Sequence, residues 1–93
     1  MSITPNQCRA GRAILGWTQF QLGERAWGTK FVKAHAITKV SKLERGELIN
    51  PEMLGEIVAA LRKAGVVFTS SGGILGVFLR QNTGTNPRQR ATS

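Results

Sequence analysis

Apolar and polar residues alternate with helical periodicity over the first two thirds of the chain. Thr4 supplies a cap, a proline follows it at the first helical position, and Gln7 stands where a capping box takes an amide. A glycine at Gly16 predicts the end of this first helix. Thr18 caps a second segment, which we expect to form a helix from about Gln19 to Ala26.

The third segment is less regular in its pattern of apolar residues. Ala36, Val40 and Leu43 form an i, i+4, i+7 stripe, which predicts a helix at about His35 to Arg45. The apolar residues that precede this stripe also allow an earlier start, near Lys30.

A fourth helix begins at an asparagine cap followed by proline. Asn50 is the cap, Pro51 takes the first helical position, and the helix is expected to run to about Lys63 or Ala64 before Gly65 ends it. The apolar stripe of this helix consists of Met53, Leu54, Ile57, Val58 and Leu61.

The pattern then changes from helical to strand-like. Val66–Phe68 and Gly76–Arg80 carry strand signals, and the small residues of Ser70–Gly73 between them predict a turn. We therefore expect a short β-hairpin, which needs a surface to pack against because an isolated hairpin is marginal in water. The sequence divides into a helical domain, the hairpin and a disordered basic tail, at residues 1–65, 66–80 and 81–93.

The charge of the chain, and its distribution, indicate a class of binding partner. The 93 residues hold 13 Lys and Arg against 5 Asp and Glu, which gives a net charge of +8 and favours a polyanionic partner. The charge is also segregated, since four lysines and no acid lie between Ala26 and Leu43. A short helix followed by a cationic one, in a small helical domain, is typical of proteins that read the major groove of DNA.

Other classes of protein are disfavoured by what the sequence lacks. Cys8 is the one cysteine, so no internal disulfide forms, and its apolar neighbours predict a buried thiol. No apolar run approaches the roughly 18 residues of a membrane span, and no signal peptide is visible, so we expect a cytoplasmic, nucleoid-associated protein. No catalytic constellation, phosphate loop or metal-ligand cluster is present, and we expect no enzyme activity, cofactor or metal.

An ordered set of motifs carries a resemblance to a known family. The middle of the chain holds Trp17-Thr18-Gln19 with Leu22, and Leu43-Glu44-Arg45-Gly46. The flanking motifs are Ile3-Thr4-Pro5, Gln7-Cys8-Arg9-Ala10, Gly65-Val66, Phe68, Gly72-Gly73, Gly76-Val77 and Leu79-Arg80. Over residues 3–80 the chain resembles the Cro/repressor-type (Xre family) helix-turn-helix regulators, in a small variety with a C-terminal hairpin. The resemblance implies a mainly α fold, a lambda-repressor-like bundle of four to five helices with that hairpin.

One spacing departs from the family. Glu44 follows Gln19 by 25 positions, where the family takes roughly eighteen. The extra residues fall around Trp27 to Ala34, and the usual turn and cap before the recognition helix are missing. Either the turn is longer or the recognition helix gains about two turns at its N-terminal side.

The resemblance also implies which side chains meet the bases of DNA. Counting back from Glu44, the matching positions are Ile37, Thr38 and Lys42, with Ser41 near them. Hydroxyls bond several base edges, and a lysine donates to guanine. Ile37 fits a thymine methyl or the protein core equally well.

Phosphate contacts are predicted at the N-terminus of the second helix and along the basic segment. Donors at a helix N-terminus suit a phosphate oxygen, and such contacts position a protein without reading sequence. The predicted set is Thr18, Gln19, Lys30, Lys33, His35, Lys39 and Arg45, of which His35 suits a base equally. The resemblance further implies a structural ion pair between Arg12 and Glu44 that ties the first helix to the end of the recognition helix.

The hairpin is the predicted dimerisation element. Its strands have edges that can pair across a two-fold axis, and the residues concerned are Val66, Val67, Phe68, Val77, Phe78 and Leu79. The alternative is that the hairpin packs within one monomer.

Together these observations predict a sequence-specific, double-stranded DNA-binding transcriptional regulator. We expect a homodimer on a roughly palindromic operator, with the third helix in the major groove. Two alternatives stay open: an antitoxin or partner-controlled regulator that also binds a protein, and a non-specific nucleic-acid binder.

Overall fold

The computed structural model describes residues 3–80, which form four helices followed by a two-stranded antiparallel sheet. The elements are α1 Pro5–Leu15, α2 Gln19–Trp27, α3 Lys33–Glu44, α4 Pro51–Lys63, β1 Val66–Ser71 and β2 Ile74–Leu79. The mainly helical fold with a C-terminal hairpin is therefore confirmed. The expectation of a disordered tail concerns residues 81–93, which lie outside the described part of the chain.

Local capping explains why three of the four helices begin where the sequence predicts. The Thr4 hydroxyl accepts from the Gln7 amide N–H, and the Gln7 side chain accepts from the Thr4 N–H, so the expected capping box is present. The same reciprocal pair joins Thr18 and Gln21 at the start of α2. At α4, the Asn50 side chain accepts from a backbone N–H of the first turn.

The start of α3 has no such side-chain cap. Val32 occupies the cap position, and its side chain cannot bond the first turn. The helix begins at Lys33, two residues before the predicted start, and residues 28–32 connect it to α2. The segment from Trp27 to Ala34 is therefore divided between the end of α2, a five-residue connection and the start of α3.

The core lies between the four helices and the inner face of the hairpin. Ala36, Val40 and Leu43 are buried, as the stripe on α3 predicts, and Cys8 is fully buried on α1. The other buried apolar residues are Ile3, Leu22, Trp27, Ile57, Val58, Leu61, Val66 and Phe68. Because Gly11 has no side chain, α1 approaches the hairpin closely, and a Cβ there would lie 3.4 Å from both Phe68 and Val66.

The hairpin is longer and its turn tighter than the sequence predicts. Strand pairing runs from Val66↔Leu79 to Ser71↔Ile74, which leaves a two-residue turn. Both turn residues, Gly72 and Gly73, have positive φ, as a type I′ geometry requires. The serines that the sequence assigns to the turn instead belong to β1.

The hairpin also packs within the monomer, which buries part of the predicted dimerisation set. Val66 and Phe68 are core residues and face α1 and the helical bundle, so their side chains are not offered to a partner. Val67 and Val77 are half-buried, whereas Phe78 and Leu79 are exposed. Among residues 3–80, no helix has the length and apolar character needed to cross a membrane.

Candidate nucleic-acid interface

The C-terminal end of α3 is anchored by a buried carboxylate. Glu44 is 3% exposed, and Arg12 donates to it from Nε at 2.8 Å and from Nη2 at 3.0 Å. The ion pair that the resemblance implies is therefore present. It is bidentate, the geometry in which arginine and carboxylate bind most specifically.

Two further side chains complete the environment of this carboxylate. Gln19 Nε2 donates to Glu44 Oε1 at 3.1 Å, and the Cys8 thiol donates to Oε2 at 3.6 Å. Arg9 Nη1 also donates to the Glu44 backbone carbonyl at 2.6 Å. Donors from α1 and α2 thus converge on the last residue of α3 and fix its position relative to both helices.

The structural role of Gln19 is one that the sequence reasoning missed. Gln19 was predicted to contact a phosphate, and the structure places its amide on Glu44 instead of leaving it free at the surface. The two residues are 25 positions apart and belong to different helices. No local periodicity connects them, so only the tertiary packing reveals the contact.

Hydrogen bonding and burial shift the ionisation of this network. The hydrogen bond to Glu44 raises the pKa of Arg12 above its ordinary value, so the guanidinium stays charged. Burial, together with the neighbouring carboxylate, raises the pKa of the Cys8 thiol from 9.0 to about 12. Cys8 is accordingly a neutral donor in the folded protein.

The raised pKa of Cys8 makes the free energy of unfolding decrease at alkaline pH. Because the folded pKa of Cys8 is the higher one, the stabilisation is complete below pH 9 and disappears as pH rises towards 12. Relative to Cys8→Ala, the wild type should lose about 1.4 kcal/mol of unfolding free energy per pH unit above pH 9. Urea unfolding of both proteins across this range measures the difference, and the alanine variant cancels the titration of the lysines. Parallel pH profiles would show that the thiol is not buried as described.

The surface of α3 that faces away from the core carries the predicted base contacts. Thr38 and Lys42 are exposed, while Ile37 and Ser41 are half-buried, with Ile37 beside the first residues of α2. Thr38 donates its hydroxyl to the Ala34 carbonyl at 2.9 Å, which holds the threonine side chain against its own helix. The structure therefore brings the four predicted base-contact residues onto one continuous side of α3.

Two grooves run along the flanks of α3. The first, which we call the α2 groove, is lined by Thr18, Gln19, Phe20, Lys33 and Ile37. The second, the α4 groove, is lined by Phe31, His35, Thr38, Lys39, Lys42, Leu48, Ile49, Asn50 and Met53. Most of the predicted contact residues line one of these grooves, and α3 forms the ridge between them.

Three of the lysines lie over aromatic rings. Lys33 Nζ lies 5.2 Å from the ring centroid of Phe20, and Lys30 and Lys39 lie 5.7 and 5.0 Å from that of Phe31. Such cation–π contacts contribute about 0.5–1 kcal/mol at exposed sites. The sequence predicted these lysines as contact residues but did not predict their aromatic partners. Phe20 and Lys33 belong to different helices, so no local pattern connects them.

Arg45 and His35 differ from the other predicted contacts. Arg45 Nη2 forms an ion pair with Glu47 at 2.8 Å, and its Nη1 donates to the Ser41 hydroxyl at 2.6 Å, so its charge is partly balanced within the protein. His35 is exposed in the α4 groove. In residues 3–80, no group of three His, Cys, Asp or Glu side chains is arranged to hold a metal ion.

The chain matches no protein-family model, no curated protein and no solved structure. Its functional interpretation therefore depends on the chemistry of α3 and the two grooves. These features combine an exposed helix, hydroxyl and ammonium donors, and positive charge on both flanks.

Proposed function

We propose that this protein is a sequence-specific regulator of transcription that inserts α3 into the major groove of double-stranded DNA. The observation that carries the proposal is the placement of charge on α3. The only acidic residue of α3, Glu44, is buried in the pair with Arg12. The exposed side of the helix therefore carries lysines and no acidic side chain. A solvated helix of ordinary function more often balances its lysines with acids at i+4 spacing.

The dimensions of α3 suit this role. Twelve residues span about 18 Å, and the major groove of B-DNA is wide enough to admit an α-helix. Lys42 can donate to guanine O6 and N7, and the hydroxyls of Thr38 and Ser41 can bond several base edges. Ile37, half-buried beside the α2 groove, is placed to touch a thymine methyl.

The grooves supply the contacts that position a protein on DNA without reading its sequence. With α3 in the major groove, the two sugar–phosphate strands would follow the α2 groove and the α4 groove. Thr18 and Lys33 line the α2 groove, and Lys39 lines the α4 groove. Lys30 lies over the Phe31 ring, as Lys39 does. Phosphate contacts of this kind make affinity fall steeply with salt.

The order of the helices supports a helix-turn-helix of the Cro/repressor type. In the proposed arrangement α2 packs across α3, and α3 is the recognition helix. Two copies would then read the half-sites of a roughly palindromic operator, about one helical turn apart.

Selection from random DNA tests the proposal directly. We expect the protein to enrich a roughly palindromic site from a pool of random duplexes, and to protect that site in a footprint. Titration at fixed salt should give specific binding at least about a thousandfold tighter than binding to random duplex. Equal affinity for all duplexes would make the protein a non-specific binder, and no binding would exclude the function.

Lys42→Ala provides a second test with a matched control. We expect a loss of about 1–3 kcal/mol in binding to the selected site, with weaker discrimination at one base pair, because Lys42 contacts a base edge. Lys63→Ala removes the same charge from an exposed residue at the far end of α4, about 20 Å along the helix from Asn50. Its effect should be small and equal for all sequences. Equal losses for the two variants in a fluorescence anisotropy titration would contradict base contact by Lys42.

A further inference from the structure

The α4 groove has an apolar lining that the proposed DNA contact does not explain. The groove has a volume of about 410 Å³ and lies between α3, the connection that follows it and the start of α4. Phe31, Ile49 and Met53 line it, are half-buried and pack against the core. Leu48, which also lines it, is 98% exposed. A sugar–phosphate strand binds through its charge, so these four side chains have no part in holding it.

One face of α3 forms the polar side of this groove. The residues that α3 contributes follow the i, i+3, i+4, i+7 spacing of a single helix face, and they are His35, Thr38, Lys39 and Lys42. The Thr38 hydroxyl already donates within its own helix. Among residues 3–80, neither Lys39 nor Lys42 forms an ion pair, so both ammonium groups can bind an anion.

The α4 side of the groove adds an amide donor and no negative charge. Asn50 Oδ1 accepts the Glu52 N–H at 2.7 Å as the helix cap, which leaves the NH2 of the Asn50 side chain as a donor. Glu52 does not line the groove, and the Glu47 carboxylate is paired with Arg45 at 2.8 Å. The lining therefore combines hydrogen-bond donors and positive charge with an apolar surface.

We propose that the α4 groove binds a small organic carboxylate with an apolar body, and that this ligand and DNA exclude each other there. Sites for small ligands have volumes of about 300–1,000 Å³ and combine an apolar lining with a few polar groups that fix orientation. The apolar body packs on Leu48, Ile49 and Met53. The carboxylate accepts charge-assisted hydrogen bonds from Lys39 and Lys42, which are stronger than neutral ones.

The exclusion rests on the proposed function, whereas the binding of the carboxylate does not. In that function, one sugar–phosphate strand follows the α4 groove and Lys42 contacts a base. A carboxylate held by Lys39 and Lys42 occupies donors that the DNA needs. Linkage requires that the ligand weakens DNA binding by the same factor as DNA weakens ligand binding. The groove would thus couple the concentration of a carboxylate to the occupancy of the operator.

An amide NMR titration of the full chain tests the site with cinnamate and octanoate, two carboxylates with different apolar bodies. We expect saturable shifts at Leu48, Ile49 and Met53, with a Kd for cinnamate of about 1 mM or lower. Acetate has the charge without the body, and cinnamyl alcohol has the body without the charge. Each should bind at least about tenfold more weakly than cinnamate. No saturable shift in the groove with either probe, or equal affinity for cinnamate and cinnamyl alcohol, would overturn the proposal.

Leu48→Glu places a negative charge in the lining without disturbing the core. Because Leu48 is 98% exposed, the Tm of this variant should equal that of the wild type. Its affinity for cinnamate should fall about fivefold, the size of the repulsion between two unit charges at contact in water. Ala59→Glu adds the same charge at an exposed position of α4 outside the groove and should bind cinnamate as the wild type does. Equal affinities for the two variants would place the ligand elsewhere and overturn the proposal.

Competition with DNA separates failure of the ligand site from failure of the proposed function. At fixed ionic strength, saturating cinnamate should weaken binding to the selected operator at least about fivefold, and cinnamyl alcohol at the same concentration should not. Equal operator binding with and without bound cinnamate would overturn the exclusion. A protein that binds cinnamate in the groove but binds no DNA would refute the proposed function and support the ligand site.

Discussion

Replacing Glu44 by alanine should lower the free energy of unfolding by about 3 kcal/mol. The Glu44 side chain is 4% exposed, and its carboxylate accepts hydrogen bonds from Arg12, Gln19 and Cys8. Its removal leaves a guanidinium with no partner charge, which is the costly way to break a buried ion pair. The Arg12 side chain remains 22% exposed and can be partly hydrated, which places the value at the lower end for such pairs.

Glu47→Ala is the matched control, because it deletes the same group three residues later. Glu47 pairs with Arg45 at 2.8 Å, but their side chains are 50% and 56% exposed. Solvent screens such a pair, and its loss should cost less than about 1 kcal/mol. In thermal unfolding we expect Glu44→Ala to lower Tm by more than about 10 °C, with little change for Glu47→Ala. Equal melting temperatures for Glu44→Ala and wild type would show that the network does not hold the fold.

The same variant distinguishes an anchoring role from a binding role. Glu44 lies inside the protein, so it would not touch the proposed DNA partner of α3. Glu44→Ala should therefore lower the free energy of unfolding and leave the salt dependence of the proposed DNA binding nearly unchanged, because that salt dependence reports phosphate contacts. A variant with wild-type stability and a changed salt dependence would reverse this assignment.

The sequence predicts those parts of the fold that short-range chemistry determines. Thr4, Thr18 and Asn50 each begin a helix through a side chain that bonds the backbone within three residues. Such contacts form within one turn of chain and leave a recognisable pattern. The predicted start of α3 was two residues too late. Val32 has no capping side chain, so tertiary packing and not a local contact decides where that helix begins.

Contacts between distant residues are less accessible from sequence alone. The Arg12–Glu44 pair was expected through the resemblance, whereas the contacts of Gln19 and Cys8 with the same carboxylate emerged only from the packed helices. The hairpin was predicted to be the dimerisation element, but which of its side chains face outwards depends on the register. Only the register assigns Val66 and Phe68 to the core and leaves Phe78 outside.

A single glycine sets the distance between α2 and α3. Gly23 is buried on α2, and a Cβ there would lie 3.1 Å from the Ala36 Cβ and 3.4 Å from the Trp27 ring. The first distance is shorter than an ordinary van der Waals contact, so the absence of a side chain lets the helices pack closely. This close approach fixes how far α3 stands out from the rest of the domain.

Gly23→Leu should therefore destabilise the protein by about 3 kcal/mol, since overpacking forces backbone shifts in a dense interior. The same substitution at Gly55, on the exposed side of α4, meets nothing within 4 Å. There it should stabilise the protein by about 0.5–1 kcal/mol, because glycine is unfavourable inside a helix. In urea unfolding, the change in the free energy of unfolding should therefore have opposite signs for Gly23→Leu and Gly55→Leu. If both variants were stabilised, α2 and α3 would have room to separate, and the spacing that presents α3 would not depend on Gly23.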